Sequence, residues 1–393
     1  MLKKFFDYLL DKKISEFGIL DIGSYCIKYA EVNLFQGDFL IKNPKKVYTF
    51  SISKGWITDG KIFENEINTL IRNTNIKDLF IILPLSNFQI KGKEEVTIPY
   101  DFGVKKYIDI NLFKDLYLKF KEDKNYLFPD LYTSHLCPYE FTLDGQKVKN
   151  ILSLSGRYLE VKAYPFFLKN SYTIETIKEL FGRKKLKIRH FLAQNVCYVS
   201  NYLKDNLMQS ENLLLINFGS SGVEVTYLKN NYIAWSFYSS KISIKNILKK
   251  LAKNFDIPFT ELENYFIMDG LKALKRRSFV IKTQGKKTIH TFKIVNIFLN
   301  ILKSCLKEII YIASTNNLKI SKIVITGYPL KFKDFKKIFF DPLFLELNFK
   351  VDPWDVEEKD LKTIKGFLDF LKLNLKRKHV LDLNFEPYEI LHY

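Results

Sequence analysis

Two copies of one short pattern, about 200 residues apart in a chain of 393, constrain the fold more than anything else in the sequence. The first runs from Phe17 to Asn33 as an apolar strand (Phe17 to Leu20), a polar turn (Asp21-Ile22-Gly23-Ser24) and a second strand (Ile27 to Val32) broken by Gln36-Gly37-Asp38. The second is Leu213 to Phe218, the turn Gly219-Ser220-Ser221-Gly222 and Val223 to Leu228, after which Lys229-Asn230-Asn231 turns the chain into Ile233 to Phe237. Each copy is a hairpin rather than a strand feeding a helix. That excludes a Walker or Rossmann loop, which needs a helix N-terminus straight after its glycines. A glycine tip of this kind lets the backbone approach a phosphate, with amides and a hydroxyl to bind it and a carboxylate, Asp21, to hold a hydrated Mg²⁺. The same residues also suit an ordinary surface turn. Two such tips facing each other clamp one nucleotide.

The chain is long enough for two domains or one two-lobed α/β body, and at 47% hydrophobic and 27% charged residues it can bury a large core. Its four cysteines form no CxxC pair, and its five histidines show no metal-ligand spacing, so reduced thiols, a cytoplasmic setting and no structural metal are expected. The net charge of +19 favours an anionic partner or reflects a biased residue usage. No zinc-finger, RNA-stacking or helix-turn-helix pattern accompanies it, and no nucleic acid is expected. No run of about 18 apolar residues predicts a membrane-spanning helix. At the start, Leu2, Phe5, Phe6, Leu9 and Leu10 share one face of an amphipathic helix with lysines opposite, suited to a membrane interface or to docking on the protein's own core. Two Asp residues in that stretch, and no small-residue cleavage site after it, argue against a signal peptide.

Between the hairpins, a strand near Val47 to Ile52, a helix over Glu64 to Arg72 and a buried strand Leu79 to Leu83 give the order β-β-β-α-β, the opening of an actin-like or RNase H-like lobe. Residues 85–165 change character and read as an inserted α+β subdomain. It has strands at Gln89 to Ile98, Leu131 to Leu143 and Arg157 to Ala163, a helix near Asn111 to Phe120 and a turn at Asp144-Gly145. Further on, Thr260 and Glu263 form a capping box. A basic run holds Lys275, Arg276, Arg277, Lys282, Lys286 and Lys287, the helix Phe292 to Ala313 is long, and the strand Lys322 to Ile325 ends in Thr326-Gly327-Tyr328-Pro329. The expected organisation is a first lobe of 1–84, 166–205 and the returning helix and tail 359–393, with 85–165 inserted. The second lobe is 206–245 and 305–358, with 246–304 as its helical subdomain.

Taken together, DIGS at Asp21 to Ser24, NFGSSG at Asn217 to Gly222 and VITGYP at Val324 to Pro329 resemble, in order, the two phosphate loops and the adenosine segment of the actin-like ATPase superfamily. The insert narrows the resemblance, because Ser134 to Val161 (SHLCPYEFTLDGQKVKNILSLSGRYLEV) is similar to the inserted subdomain of the bacterial cell-division protein FtsA. A sister family, the pilus-assembly scaffold PilM, competes through the Lys-rich start, Ile27-Lys28 after the loop and the stretch from Trp56 to Ile62.

The resemblance implies a two-lobed actin-like fold binding ATP and Mg²⁺, with Asp21 on the metal and Gly23, Ser24 and Tyr25 beside the phosphates. Asn217, Gly219, Ser220, Ser221 and Gly222 would line them from the other lobe, with Gly327 and Tyr328 beside the adenosine. Lys28 either steers phosphate or is solvated, and Glu263 either binds ribose or caps its helix. It also implies head-to-tail self-assembly, a place on the inner face of the cytoplasmic membrane and capture of the FtsZ C-terminal peptide. The basic run would dock that acidic peptide or be a solvated loop. The PilM alternative takes a short peptide of a membrane partner instead. Several positions depart from the family pattern: Asn217 replaces an aspartate, Ser220, Ser221, Ser239, Ser240 and Tyr328 replace glycines, and Phe266 replaces a lysine. Phosphoryl transfer depends on charges that orient the metal and water, so these changes argue against hydrolysis. The tail after Leu371 is short and acidic near its end, which leaves membrane anchoring to the N-terminal helix.

Overall fold

The computed structural model describes residues 16–35, 38–89, 96–109, 112, 115–120, 122, 132–149, 151–152, 154–206, 211–276, 280–282, 285, 288–340, 350–354, 361–375 and 382. The N-terminal amphipathic stretch, most of the tail and Arg277, Lys286 and Lys287 of the basic run lie outside the described residues. The chain divides into two compact units, Met1–Ser210 with Leu228–Ser236 and Glu358–Tyr393, and Glu211–Tyr227 with Phe237–Glu357.

In the first unit, β1 (Glu16–Ile22), β2 (Cys26–Phe35) and β3 (Asp38–Tyr48) form an antiparallel meander. The short hairpin β4 (Ile52–Ser53) and β5 (Trp56–Ile57), the helix α1 (Gly60–Ile71) and β6 (Asp78–Leu83) follow. The meander is longer than the sequence predicts, because β3 begins at Asp38 instead of near Val47. Lys42-Asn43-Pro44-Lys45-Lys46 reads as a loop, yet β3 is the sheet edge, where proline and lysine are tolerated, and Asn43 takes a left-handed φ of 48° beside a break in register. Helix α1 also starts earlier than predicted: the Asp59 side chain accepts from the amides of Lys61 and Ile62 and so caps it. Phe63, Ile67 and Leu70 form its inner face. Buried among them, Glu66 accepts from the Thr49 and Ser51 hydroxyls at 2.8 and 2.5 Å and from the Phe50 amide at 2.9 Å, which fixes the turn after β3.

The insert is a second sheet, β7 (Phe88–Gln89), β8 (Val96–Tyr107), β9 (Tyr132–Leu143), β10 (Gln146–Val148) and β11 (Ser155–Leu168), ordered β10-β9-β11-β7 with β8 also on β11. Asp144 and Gly145 turn it at φ of 48° and 81°, as an Asp-Gly hairpin predicts. Its core holds Leu136, Phe141, Leu159, Val161 and Phe166. The chain then returns through α2 (Tyr172–Arg183), β12 (Lys187–Ala193) and α3 (Gln194–Asn206) to complete the order β12-β6-β1-β2-β3, in which β12, β6 and β1 run parallel. The last helix, α8 (Lys362–Leu375), packs on α3. Gly366 is the point of approach: a Cβ there would lie 2.2 Å from the Cys197 carbonyl oxygen.

The second sheet system is ordered β15-β14-β13-β18-β19. Its strands are β13 (Leu213–Phe218), β14 (Val223–Lys229), β15 (Tyr232–Ser239), β18 (Lys322–Gly327) and β19 (Lys350–Pro353). Between β15 and β18 come α4 (Ile244–Asn254), α5 (Phe259–Asn264), a π-turn over Tyr265–Asp269, α6 (Leu271–Leu274), the hairpin β16 (Val280–Lys282) and β17 (Thr288–His290), and α7 (Thr291–Thr315). Asn230 and Asn231 make the predicted turn at φ of 52° and 71°.

Candidate functional site

The C-terminal ends of the parallel strands β1, β6 and β12 bring Asp21, Pro84 to Asn87 and Ala193 to Asn195 to one edge of the first sheet, the edge at which α/β sheets gather ligands. Asp21 is 1% exposed, and in the hairpin register it faces Lys28. The Lys28 ammonium sits 3.1 Å from Oδ2, the Gln194 amide donates to Oδ1 at 3.3 Å, and the Thr363 hydroxyl of α8 donates to Oδ2. Lys28, open between steering phosphate and being solvated, is thus the counter-ion of Asp21. At the tip, the Gly23 amide donates to the Cys26 carbonyl at 3.2 Å, Ser24 Oγ accepts from the Gly55 amide at 2.7 Å, and Tyr25 packs edge-on to Tyr48. Gln194 and Thr363 escaped the sequence reading, since they lie 173 and 342 positions from Asp21.

The second loop is organised within its own unit. The Gly219 amide closes the turn onto the Gly222 carbonyl at 2.8 Å. The Ser220 carbonyl accepts from the Ser243 hydroxyl at 2.5 Å and the Lys245 amide at 3.1 Å, which ties the loop to the start of α4. Asn217 is buried and its amide donates to Glu224 at 3.3 Å. Glu224 is a buried carboxylate that the sequence reading missed, although it stands seven positions on, as Lys28 does from Asp21. A Cβ at Gly222 would lie 2.6 Å from the Tyr238 hydroxyl. Gly327, at φ of 106°, passes so close to the loop that a Cβ there would lie 2.4 Å from the Phe218 carbonyl oxygen.

The predicted capping box is corrected here. Helix α5 begins at Phe259 with Pro258 as its N-cap and no side-chain cap, so Thr260 lies inside the helix. The Glu263 carboxylate accepts from the Tyr328 hydroxyl instead. Burial pushes the Glu263 carboxyl above its ordinary value, and Lys245 and Lys331 oppose that shift. Phe266 is a core residue, packed edge-on against Phe298 and Phe332.

As arranged, these residues do not fit a magnesium nucleotide. Both oxygens of Asp21 are engaged, and the Lys28 ammonium already supplies the positive charge that a hydrated cation would bring to this carboxylate. The Glu263 carboxylate that would take a ribose hydroxyl already holds one from Tyr328. The side chains of each half satisfy one another.

A second polar cluster lies at the root of the insert. His135, His190 and Asp382 hold their ligand atoms within 4.8 Å of one another, a grouping that sequence spacing does not disclose. His135 Nδ1 is 2.5 Å from Asp382 Oδ2, the Leu136 amide donates to Oδ1 at 2.8 Å, and His135 Nε2 accepts from the Ala193 amide at 2.9 Å. Because Nε2 accepts a hydrogen bond from an amide and so carries no proton, the ring proton sits on Nδ1 and is donated in a hydrogen bond to the carboxylate, an arrangement that favours a hydrogen-bonded pair over metal ligation.

His190 packs on His135 at 5.4 Å between ring centroids, and burial, then the neighbouring His135, push its pKa down to about 3. A folded pKa below the ordinary 6.5 means that the unfolded chain takes up a proton the folded chain refuses. Stability is therefore expected to be complete above about pH 6.5 and to fall toward pH 3, by at most about 1.4 kcal/mol per pH unit from this group. Denaturant titrations across that range check it. An unchanged slope in His190→Gln would show that other groups carry the acid loss.

No family model matches the chain, and no curated protein matches it either. Solved structures do. The structure of a PilM-PilN type IV pilus biogenesis complex is 12% identical and covers 93% of this chain and 99% of its own, with a TM-score of 0.57. MreB5 of Spiroplasma citri bound to AMPPNP is 10% identical and covers 93% of this chain and 100% of its own, with a TM-score of 0.51. The chain has the actin-like fold. At such identities the likeness extends to the arrangement of elements, not to the chemistry of the loops. Within this actin-like fold, no helix of the described residues is long and apolar enough to cross a membrane.

Proposed function

We propose that the chain is an actin-like scaffold whose nucleotide-type site is closed by its own side chains, and which works by assembly and partner capture instead of ATP turnover. The observation that carries this is the Asp21 carboxylate, neutralised by Lys28 at 3.1 Å and further held by Gln194 and Thr363. The Tyr328 to Glu263 hydrogen bond supports it from the adenosine side. Within the fold, the scaffold is of the kind that carries an inserted subdomain and sits peripherally on the inner face of the cytoplasmic membrane. The division reading, in which an FtsA-like chain polymerises head to tail and captures the FtsZ C-terminal peptide, draws support from the similarity of Ser134 to Val161. A pilus reading, in which a PilM-like chain takes a short peptide of a membrane partner, is favoured by the likeness to the PilM-PilN complex over 93% of the chain.

Calorimetric titration with Mg-ATP tests the closed site. The expected dissociation constant is weaker than about 1 mM, or about −4 kcal/mol, with no ATP turnover. Micromolar binding with turnover abolished by Asp21→Ala would restore an active ATPase. Pull-downs with the FtsZ C-terminal peptide and with a PilN-type N-terminal peptide then separate the division from the pilus role.

A further inference from the structure

At the opposite edge of the first sheet, where β1, β6 and β12 begin, the turns after α1 and α2 enclose a cleft of about 1010 Å³. Four cations line it, Arg72, Lys77, Lys184 and Lys185, together with neutral groups such as Asn68 and Asn75, and no Asp or Glu lies among its lining residues. None of the four cations forms an ion pair among the described residues. That contrasts with their neighbours, since Arg183 pairs with Glu64 and Arg189 with Asp78. Lys45 adds a fifth charge, reaching the Arg72 carbonyl from β3 at 3.3 Å. A basic residue in a helix's last turn is ordinarily there for the helix dipole. Such a role accounts for Arg72 and Lys184, at the caps of their helices, but not for Lys77, which leads into β6, or for Lys185, which holds a left-handed φ of 54° beyond α2. One carboxylate borders the cleft, Glu31, which accepts from the lining Thr74 hydroxyl at 2.9 Å and from the Asn43 amide at 2.8 Å. Four cations with no ion pair among the described residues, set around neutral amides, outnumber it and make a receptor for phosphate-type anions. The chain enters β1 at Glu16 on this same edge.

We propose that this cleft is a binding surface for anionic phospholipid headgroups, so that the β1 entry edge of the first unit faces the membrane. The inference rests on the reading of the chain as a peripheral membrane scaffold and adds the surface that makes the contact. A wide, open, basic cleft suits the headgroups of a charged bilayer, where each lysine or arginine near the surface adds to the attraction and salt screens it.

The test is co-sedimentation of the full chain with phosphatidylcholine vesicles, with and without phosphatidylglycerol. The wild-type chain is expected to bind only the anionic vesicles, and high salt to weaken that binding. The variant R72Q/K77Q/K184Q/K185Q is expected to bind about a hundredfold more weakly or less. A variant with the same charge loss elsewhere, K250Q/K253Q/K272Q/K307Q, is expected to keep most of the binding, and K77R/K184R/K185R to keep it all. If the cleft variant binds anionic vesicles like wild type, the proposal is overturned while peripheral association stands. If the two glutamine variants lose binding equally, net charge and not the cleft is responsible, and the proposal also fails. No preference of the wild-type chain for anionic vesicles overturns both readings. Inorganic phosphate titrated against wild type separates the sources: a tight site lost in the cleft variant, with vesicle binding unchanged, would make this a soluble-anion site and not a lipid surface.

Discussion

Replacing Asp21 with alanine is expected to destabilise the chain by about 3–5 kcal/mol, read as a lower denaturant midpoint at unchanged slope. The effect comes from what remains behind. The Lys28 side chain is 14% exposed and would keep its charge in a low-dielectric pocket with its counter-ion gone, while the Gln194 amide and Thr363 hydroxyl lose their acceptor. Removing both charges together, as in Asp21→Asn with Lys28→Met, is expected to recover most of the loss, because a buried pair often contributes little beyond its own desolvation. A carboxylate whose principal task is to hold magnesium and phosphate gives the opposite pattern. Asp21→Ala would then leave the nucleotide-free chain within about 1 kcal/mol of wild type and would abolish nucleotide binding. That pattern would sink the proposal of a site closed by its own side chains.

The parts of this molecule legible in the sequence are those that local chemistry dictates. The Asp144-Gly145 and Asn230-Asn231 turns follow from residue types that take left-handed backbone readily, and the long helix α7 follows from apolar residues at helical spacing, Ile294, Phe298, Leu302, Leu306 and Ile309. Strand β3 was hidden because an edge strand tolerates the same lysines and proline that mark a loop. The start of α1 was hidden because Asp59-Gly60 reads as a turn, although Asp59 is the cap. The site divides along the same line. Its hairpin residues are local, and Lys28 could be placed opposite Asp21 by counting across the tip. Gln194, Thr363 and Asp382 reach their partners across 173, 342 and 247 positions, and no periodicity reports such a meeting. Tyr328 stands where the resemblance has a glycine, and its hydroxyl takes the very carboxylate that the ribose would need. The choice between division and pilus roles turns on surface recognition, which a shared fold leaves free to vary.

Asp382→Ala is expected to cost about 3–4 kcal/mol, although it changes a single position in the last segment of the chain. The carboxylate is buried and accepts from His135 Nδ1 at 2.5 Å and from the Leu136 amide at 2.8 Å, and the His135 ring itself packs against Phe88 and Phe166. Alanine leaves both donors buried and unpaired. Asparagine keeps the volume and can satisfy one donor, but it turns its own amide toward the other, so Asp382→Asn is expected to lose about 1–3 kcal/mol. The loss should also reach the first loop. His135 Nε2 holds the Ala193 amide at the end of β12, and the next residue, Gln194, donates to Asp21 at 3.3 Å, so both clusters bear on one strand end. A double-mutant cycle between Asp382→Ala and Asp21→Asn is therefore expected to give a coupling energy above about 0.5 kcal/mol. Strict additivity would mean that the root of the insert and the loop are independent sites, and that Asp382 stabilises the insert alone.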